Sequence, residues 1–267
     1  DKDEVLAKQL PYNQMSKFGW VPETRLIKER VINLRKYFEV VELSLLENRQ
    51  ITKIACRRLA ITEKGDFALI AWVQEAKLEA RKVQTMPRQT DTTHINIDKL
   101  VRVLPEIRSM TLETPAEFSA ELKDKLAQCG IALVFLPHLQ GSFLQGASFI
   151  DGKKIVIGLT ARGKDADRFW FSLFHELGHI VLGHIGKTDE ITEQDENEAD
   201  LWAKDELIPK EEFEQFKKTQ DYSSISVCDF ANKIGIAPGI VVGRLQKERC
   251  ITYNMLNELK EQYEIAM

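Results

Sequence analysis

Three residues in a five-residue stretch, His175, Glu176 and His179, have the types and spacing to hold a metal ion and hydrolyse an amide. Residues four apart lie on one face of an α-helix, so both imidazoles can bind the same ion. Glu176 follows the first imidazole directly and can act as general base toward an attacking water. This HExxH motif is typical of zinc peptidases, in which the ion polarises the scissile carbonyl. The spacing therefore predicts a hydrolytic metal centre on a helix.

A third ligand has to come from another element, because catalytic zinc usually has three protein ligands and an open position. An acidic run after a polar loop offers Glu196 and Glu198, which follow His179 by 17 and 19 residues. They are about 200° apart around a helix, so one ion is not expected to take both, and helical phase leaves the choice open. Asp200 can accept a hydrogen bond from the far nitrogen of a ligand imidazole. This donor set suits zinc, although iron and manganese also accept it.

His184 is a further histidine beside the motif, but it is not expected to bind the ion. It lies nine residues after His175, one short of the spacing in HExxHxxGxxH, and Gly183 is at the wrong offset for that pattern. A role at the C-terminus of the motif helix is favoured instead. No residue for oxyanion stabilisation stands out, since Arg162 and Arg168 are near in sequence but are expected to be solvated.

The elements around the motif predict an α+β fold that is mostly helical. The motif helix is expected from Asp165 to Leu182, with Gly183 as its C-cap, and a second helix from Asp195 to Leu207. The other helices are predicted at residues 21–38, 67–83, 98–107, 115–129, 210–218, 227–234, 239–249 and 253–263. The first twenty residues are polar and are predicted to be a linker or docking segment. A division at residue 110 is expected, with a helical segment at 1–110 and the catalytic domain with a C-terminal helical hairpin at 111–267.

A small sheet of about three strands is expected to pack beside the motif helix. Residues 131–136 form a short apolar run between Gly130 and Pro137, which indicates a buried strand. Residues 147–150 and 154–158 flank an Asp-Gly pair and predict a β-hairpin. Two interpretations of strand 154–158 are open. It is either ordinary sheet core, or a strand whose free edge pairs with an extended peptide substrate.

Composition is that of a globular protein, with 43% hydrophobic residues, 29% charged residues and a net charge of −4 over 267 residues. No apolar run approaches the length of a membrane span, and the polar N-terminus does not resemble a signal peptide. Four cysteines occur without a CxxC pair, which favours buried thiols in a reducing compartment and predicts a cytoplasmic protein.

Three segments resemble the ImmA/IrrE family of HExxH metallopeptidases. They are residues 171–179, residues 196–200 with the pattern Glu-x-Glu-Ala-Asp, and Leu207-Ile-Pro209 with Phe213. The resemblance spans residues 115–250. It implies Glu198 as the third ligand, because Glu198 occupies the first position of the Glu-Ala pair. The ExxxD spacing of thermolysin-like enzymes instead selects Glu196 with Asp200, which stays as the alternative.

The wider layout resembles a subgroup in which a helix-turn-helix regulator precedes the peptidase domain. No helix-turn-helix is apparent before residue 20, so contact with DNA is expected only through a missing N-terminal domain. The resemblance implies a protein substrate, either a transcriptional repressor or a stress or toxin–antitoxin regulator, and it is compatible with a toxin partner and a homodimer. The alternative is an antitoxin-like transcriptional regulator whose metal site is structural or sensory. Glu176 favours the enzyme, since a purely structural site needs no adjacent base.

Residues 227–245 imitate a helix-turn-helix, with a glycine-containing turn between two helices. The second helix is poor in residues that read bases, offering only Arg244, followed by Lys247 and Arg249. A helical hairpin that packs under the peptidase core is therefore the favoured prediction.

Overall fold

The computed structural model describes residues 2–47, 63–85, 95–142, 144–160, 162–185 and 191–264. The helices in these ranges are α1 (Lys2–Gln9), α2 (Tyr12–Lys17), α3 (Ile27–Phe38), α4 (Glu63–Lys82), α5 (Ile97–Ser109), α6 (Pro115–Ala127), α7 (Ala166–Val181), α8 (Glu193–Leu207), α9 (Lys210–Thr219), α10 (Ser224–Ile234) and α11 (Pro238–Lys247). The strands are β1 (Ile131–Leu136), β2 (Gly146–Asp151), β3 (Lys154–Thr160), β4 (Arg162–Asp165) and β5 (Gln262–Glu264). The predicted fold class, α+β and mostly helical, is confirmed.

β3 is the middle strand of a three-stranded mixed sheet, parallel to β1 and antiparallel to β2. The predicted hairpin joins β2 to β3 and turns at Gly152, whose φ of +61° suits glycine. The idea that residues 154–158 present a free edge to a peptide is wrong, because both edges of β3 are hydrogen-bonded to other strands. Within the described ranges, β2 is an outer strand of this sheet.

The sheet separates two hydrophobic cores because successive strand residues face opposite sides. On one side, Leu133 and Phe135 pack with α5, α6, α7 and the C-terminal helices. On the other side, Ala132 and Val134 pack with α4 and the N-terminal helices. Packing crosses the expected division at residue 110, since the buried Leu104 of α5 lies in the same core as α7.

Residues 2–20, predicted to be a linker or docking segment, contain the helices α1 and α2 and are packed rather than extended. Tyr12 and Met15 are buried in the second core. The Tyr12 hydroxyl donates to the carbonyl of Pro22 at 2.7 Å, in a stretch without helix that ends where α3 begins at Ile27. The helix start predicted at Val21 is therefore wrong by six residues. A tertiary hydrogen bond of this kind is not visible in local propensity.

Gly158 lets the Trp72 ring approach the middle strand closely, which gives a stability prediction. A Cβ at Gly158 would lie 2.6 Å from Cη2 of Trp72, and Trp72 is fully buried. We expect Gly158→Ala to lower the free energy of unfolding by about 1–3 kcal/mol through overpacking. Thermal unfolding tests this, since about 2–4 °C is lost per kcal/mol in a chain of this size. An unchanged midpoint would contradict the packing described here.

The helix predicted at residues 253–263 is absent; this segment instead contains a 3₁₀ turn (Asn257–Leu259) and β5, which pairs with β4. Tyr263 explains the difference, because its ring is buried between Phe118 and Phe169 and its hydroxyl accepts a hydrogen bond from Trp170 Nε1 at 2.9 Å. Burial raises the pKa of Tyr263 to about 12. The Glu261 carbonyl accepts from the first N–H of α7, so this segment anchors the start of the motif helix.

The helix-turn-helix imitation is the packed hairpin α10–α11. Arg244 is buried, and its guanidinium donates to the carbonyls of Lys204 and Ile208 at 2.7 Å and lies over the Phe213 ring. It therefore holds α11 under the site and is not presented to a base. No single helix among the described residues has the length and hydropathy to cross a membrane; α10 and α11 reach them only together, bent by 113°.

Candidate metal centre

The candidate site lies where α7 packs against α8, beside β2. α7 starts one residue after the predicted position. α8 starts at Glu193, two residues before the predicted Asp195, and carries a capping box between Thr192 and Asp195. The two helices come close because Gly178 has no side chain. A Cβ there would lie 3.0 Å from Trp202 Cε3 and 3.2 Å from the Ala199 carbonyl oxygen. The glycine within the motif thus lets the acidic run of α8 reach the motif histidines.

The structure brings His175, His179 and Glu196 together. The two Nε2 atoms are 2.9 Å apart, and the Glu196 carboxylate oxygens lie 3.4 Å from Nε2 of His175 and 3.5 Å from Nε2 of His179. Donors of a tetrahedral zinc site, each about 2.0–2.1 Å from the ion, are about 3.3 Å apart. Both imidazoles are buried, with 4% and 3% side-chain exposure. Separation and chemistry of this donor set fit a zinc ion.

Glu198, the ligand that the family pattern implies, lies outside this cluster in the described structure. Its carboxylate lies 3.4 Å from Nε2 of His184, and its side chain is 48% exposed. Residues two apart on a helix differ by about 200°, so only one of the two glutamates can face His175 and His179. The orientation of α8 turns Glu196, the alternative, toward them.

Asp200 lies on the far side of His175, with Oδ1 2.7 Å from Nδ1. A carboxylate only accepts, so the His175 proton is on Nδ1 and the lone pair of Nε2 faces the cluster. Lys247 of α11 reaches the other Asp200 oxygen at 3.5 Å. Asp200 is thus placed to accept the hydrogen bond that the sequence predicted for it. Lys247, at the end of the hairpin α10–α11, contacts the same carboxylate.

Glu176 is buried beside the cluster and faces the outer strand β2. Its Oε2 accepts a hydrogen bond from the Ser148 hydroxyl at 2.6 Å. A Cβ on Gly146 of the same strand would lie 3.3 Å from both Cγ and Oε1 of Glu176. Sequence reasoning missed Ser148, because a serine in a hairpin strand carries no signal of what it faces across the fold.

The Ser148 hydroxyl gives a prediction about positioning. We expect Ser148→Ala to lower kcat for peptide hydrolysis about tenfold with little change in KM, because a hydrogen bond to a charged group contributes about 1.5–3 kcal/mol and packing on β2 retains part of the orientation. Steady-state kinetics tests this, with the exposed Ser109→Ala as a matched control. A kcat equal to that of the unchanged protein would show that Ser148 does not orient Glu176.

Of the two arginines considered for oxyanion stabilisation, the structure describes the side chain of Arg168. Arg168 is 62% exposed and its Nε lies 3.7 Å from Asp165. The side chain of Arg162 lies outside the described part. The solvated role expected for Arg168 matches its position.

A polar groove of about 860 Å³ opens at His175 and Asp200 and runs along α7 toward α11 and the C-terminal segment. Its lining includes Arg168, Ser172, Lys204, Gln246, Lys247 and Lys260. The groove therefore reaches His175 from the Asp200 side, and its lining does not include Glu176, His179 or Glu196.

The described structure thus combines a mostly helical α+β fold with an HExxH helix beside a small mixed sheet and a carboxylate from the next helix. The peptidase M78 family model, described as an IrrE N-terminal-like domain, matches residues 130–246. This match supports an ImmA/IrrE-type metallopeptidase domain over these residues, in agreement with the resemblance of the motifs. The matched residues contain every residue of the cluster. A search of curated proteins found no match for this chain.

Proposed function

We propose that this protein is a zinc-dependent endopeptidase that cleaves a protein substrate, with His175, His179 and Glu196 as ligands. The observation that carries the proposal is the convergence of two imidazole Nε2 atoms and one carboxylate within 3.5 Å of one another, next to a buried glutamate that is not part of the cluster. A glutamate held beside the ligands by Ser148 is what hydrolysis requires and what a purely structural site does not.

The chain's own residues have distinct tasks in this reaction. A zinc ion bound at the cluster supplies Lewis acidity toward the scissile carbonyl and toward the attacking water. Glu176 accepts a proton from that water and passes it to the leaving amine. The water oxygen becomes part of the new carboxyl group, and the proton completes the new amine. Ser148 donates to Oε2 of the Glu176 carboxylate, so this hydrogen bond does not occupy Oε1. Asp200 keeps the proton of His175 on Nδ1.

The outer strand β2 is the element suited to hold an extended substrate. It carries Ser148 beside Glu176, and one of its edges has no partner strand in the described ranges. Pairing of a peptide with this edge would align its backbone past Glu176 and fix the register of the scissile bond. This role replaces the one that the sequence suggested for β3, which is enclosed by its neighbours.

We infer that the natural substrate is a regulatory protein such as a transcriptional repressor or a stress or toxin–antitoxin regulator, which the family resemblance supports.

Zinc removal tests the proposal with a library of peptides of diverse sequence. We expect the zinc-loaded protein to produce new termini within the peptides, cleavage to stop after chelation, and activity to return when one equivalent of zinc is restored. Mass spectrometry of the products reports both the cleaved bond and the neighbouring sequence preference. Cleavage that persists in the chelated protein would refute a zinc mechanism. Zinc binding without cleavage of any peptide would favour the antitoxin-like regulator with a structural or sensory site.

A further inference from the structure

The end of the motif helix places a third imidazole against the second one. The His184 N–H donates to the His179 carbonyl at 2.8 Å, and the Gly183 N–H donates to the Ile180 carbonyl at 3.1 Å. This is a Schellman motif, in which the second residue after the cap folds back over the last turn. Gly183 has the left-handed φ, +72°, that this motif needs. The stretch His-x3-Gly-His therefore returns His184 to the side of His179.

The two side chains meet through the nitrogens that face away from the cluster. His179 Nδ1 lies 3.0 Å from His184 Nδ1, and both rings are buried. On the other side of His184, Nε2 lies 3.5 Å from an Asp195 oxygen and 3.4 Å from a Glu198 oxygen. A continuous chain of polar contacts thus runs from two carboxylates of α8 through His184 to His179.

The direction of this chain follows from donor and acceptor chemistry. A neutral imidazole has one N–H and one lone pair. If His179 offers its Nε2 lone pair to an ion, its proton is on Nδ1, and Nδ1 of His184 has to accept it. The proton of His184 is then on Nε2, where the carboxylates of Asp195 and Glu198 accept.

We propose that His184, together with Asp195 and Glu198, is a positioning relay that fixes the tautomer and orientation of His179 for metal binding. This inference rests on the proposed zinc site. In this arrangement Glu198 accepts a hydrogen bond from His184, whereas the family pattern implies that it binds the ion directly. The His184 imidazole accepts the hydrogen bond from Nδ1 of His179, as Asp200 does from Nδ1 of His175. Mutation of such a hydrogen-bond partner of a metal ligand typically lowers metal affinity by about 10–100-fold.

The position of the His184 proton also determines whether His184, Asp195 and Glu198 can bind a second ion. His184, Asp195 and Glu198 have ligand atoms within 4.8 Å of one another, so by composition they resemble a second metal site. However, a neutral His184 that accepts at Nδ1 carries its proton on Nε2 and has no lone pair for an ion there. The two clusters therefore exclude each other, and the protein binds one zinc rather than two.

Zinc affinity and an NMR signature test the relay independently of catalysis. We expect the intact protein to bind one zinc, and His184→Phe, which keeps a ring but removes the acceptor, to weaken zinc binding about 10–100-fold in competition with a chelator of known affinity. His184→Gln, whose amide oxygen can accept from His179, should recover part of the loss. The matched control is His138→Phe at an exposed histidine, which should change nothing.

Long-range proton–nitrogen NMR reports which ring nitrogen of His184 carries the proton. It is carried out on the zinc-loaded, unmutated protein, so it does not depend on the folding of a variant. Unprotonated Nδ1 and protonated Nε2 in His184 support the relay. A protonated Nδ1, an unchanged affinity in His184→Phe that folds normally, or a second zinc lost with that change would each overturn it. These outcomes leave the first zinc site intact, whereas a wild-type protein that binds no zinc would overturn the proposed site and the relay together.

Discussion

Replacing Glu176 by glutamine is expected to lower the rate of peptide hydrolysis by about 10²–10⁴-fold while one zinc ion remains bound. Glutamine has nearly the same shape, and its amide oxygen can still accept the hydrogen bond from Ser148. It cannot take a proton from water, however, so the chemical step loses its base. Glu176 is not among the three clustered ligand residues, which is why the loss should appear in kcat and not in metal content.

Three measurements separate this result from damage to the fold. Steady-state kinetics gives kcat and KM, metal analysis gives zinc per chain, and thermal unfolding reports stability. Glu211→Gln, the same change at an exposed position on α9, is the matched control and should behave as the unchanged protein. Hydrolysis within tenfold of normal in Glu176→Gln would exclude Glu176 as the base. Loss of zinc in that variant would instead show that the carboxylate supports the metal site.

The second large effect is expected from a pair of alanine variants on one helix. Glu196→Ala should weaken zinc binding by well over the roughly 100-fold that loss of an outer partner can cause, since it removes a direct ligand. Glu198→Ala should still bind one zinc, with an affinity within about tenfold of normal, because Asp195 remains as an acceptor for His184. Both changes are on α8, both replace glutamate by a strong helix former, and the pair therefore controls for helix stability.

Chelator competition and zinc per chain distinguish the two variants. If zinc is lost with Glu198→Ala and kept with Glu196→Ala, the assignment from the family pattern is right and the contact geometry is misleading. Equal and complete loss in both would point to damage of α8 as a whole, which far-ultraviolet circular dichroism would reveal.

Local patterns were sufficient for most elements around the site. The motif helix predicted from Asp165 to Leu182, with Gly183 at its end, matches α7 within a residue at each end. The Asp-Gly turn and apolar runs located β1, β2 and β3. Patterns failed where a distant contact outweighs local preference. Tyr263 is drawn into an aromatic cluster with Phe118 and Trp170, which holds its segment as a strand, and the polar first twenty residues are folded by burial of a few side chains such as Met15.

The sequence by itself predicted two imidazoles on one helix face, a candidate base next to the first of them, and acids on the next helix. This was possible because the intervals between His175, Glu176 and His179 are shorter than two helical turns, so backbone geometry alone fixes them. Only the tertiary structure distinguishes Glu196 from Glu198, because the difference depends on how α8 is rotated against α7 at Gly178. Likewise, only the packing of β2 brings Ser148 to Glu176, since their 28-residue separation leaves no periodic signal.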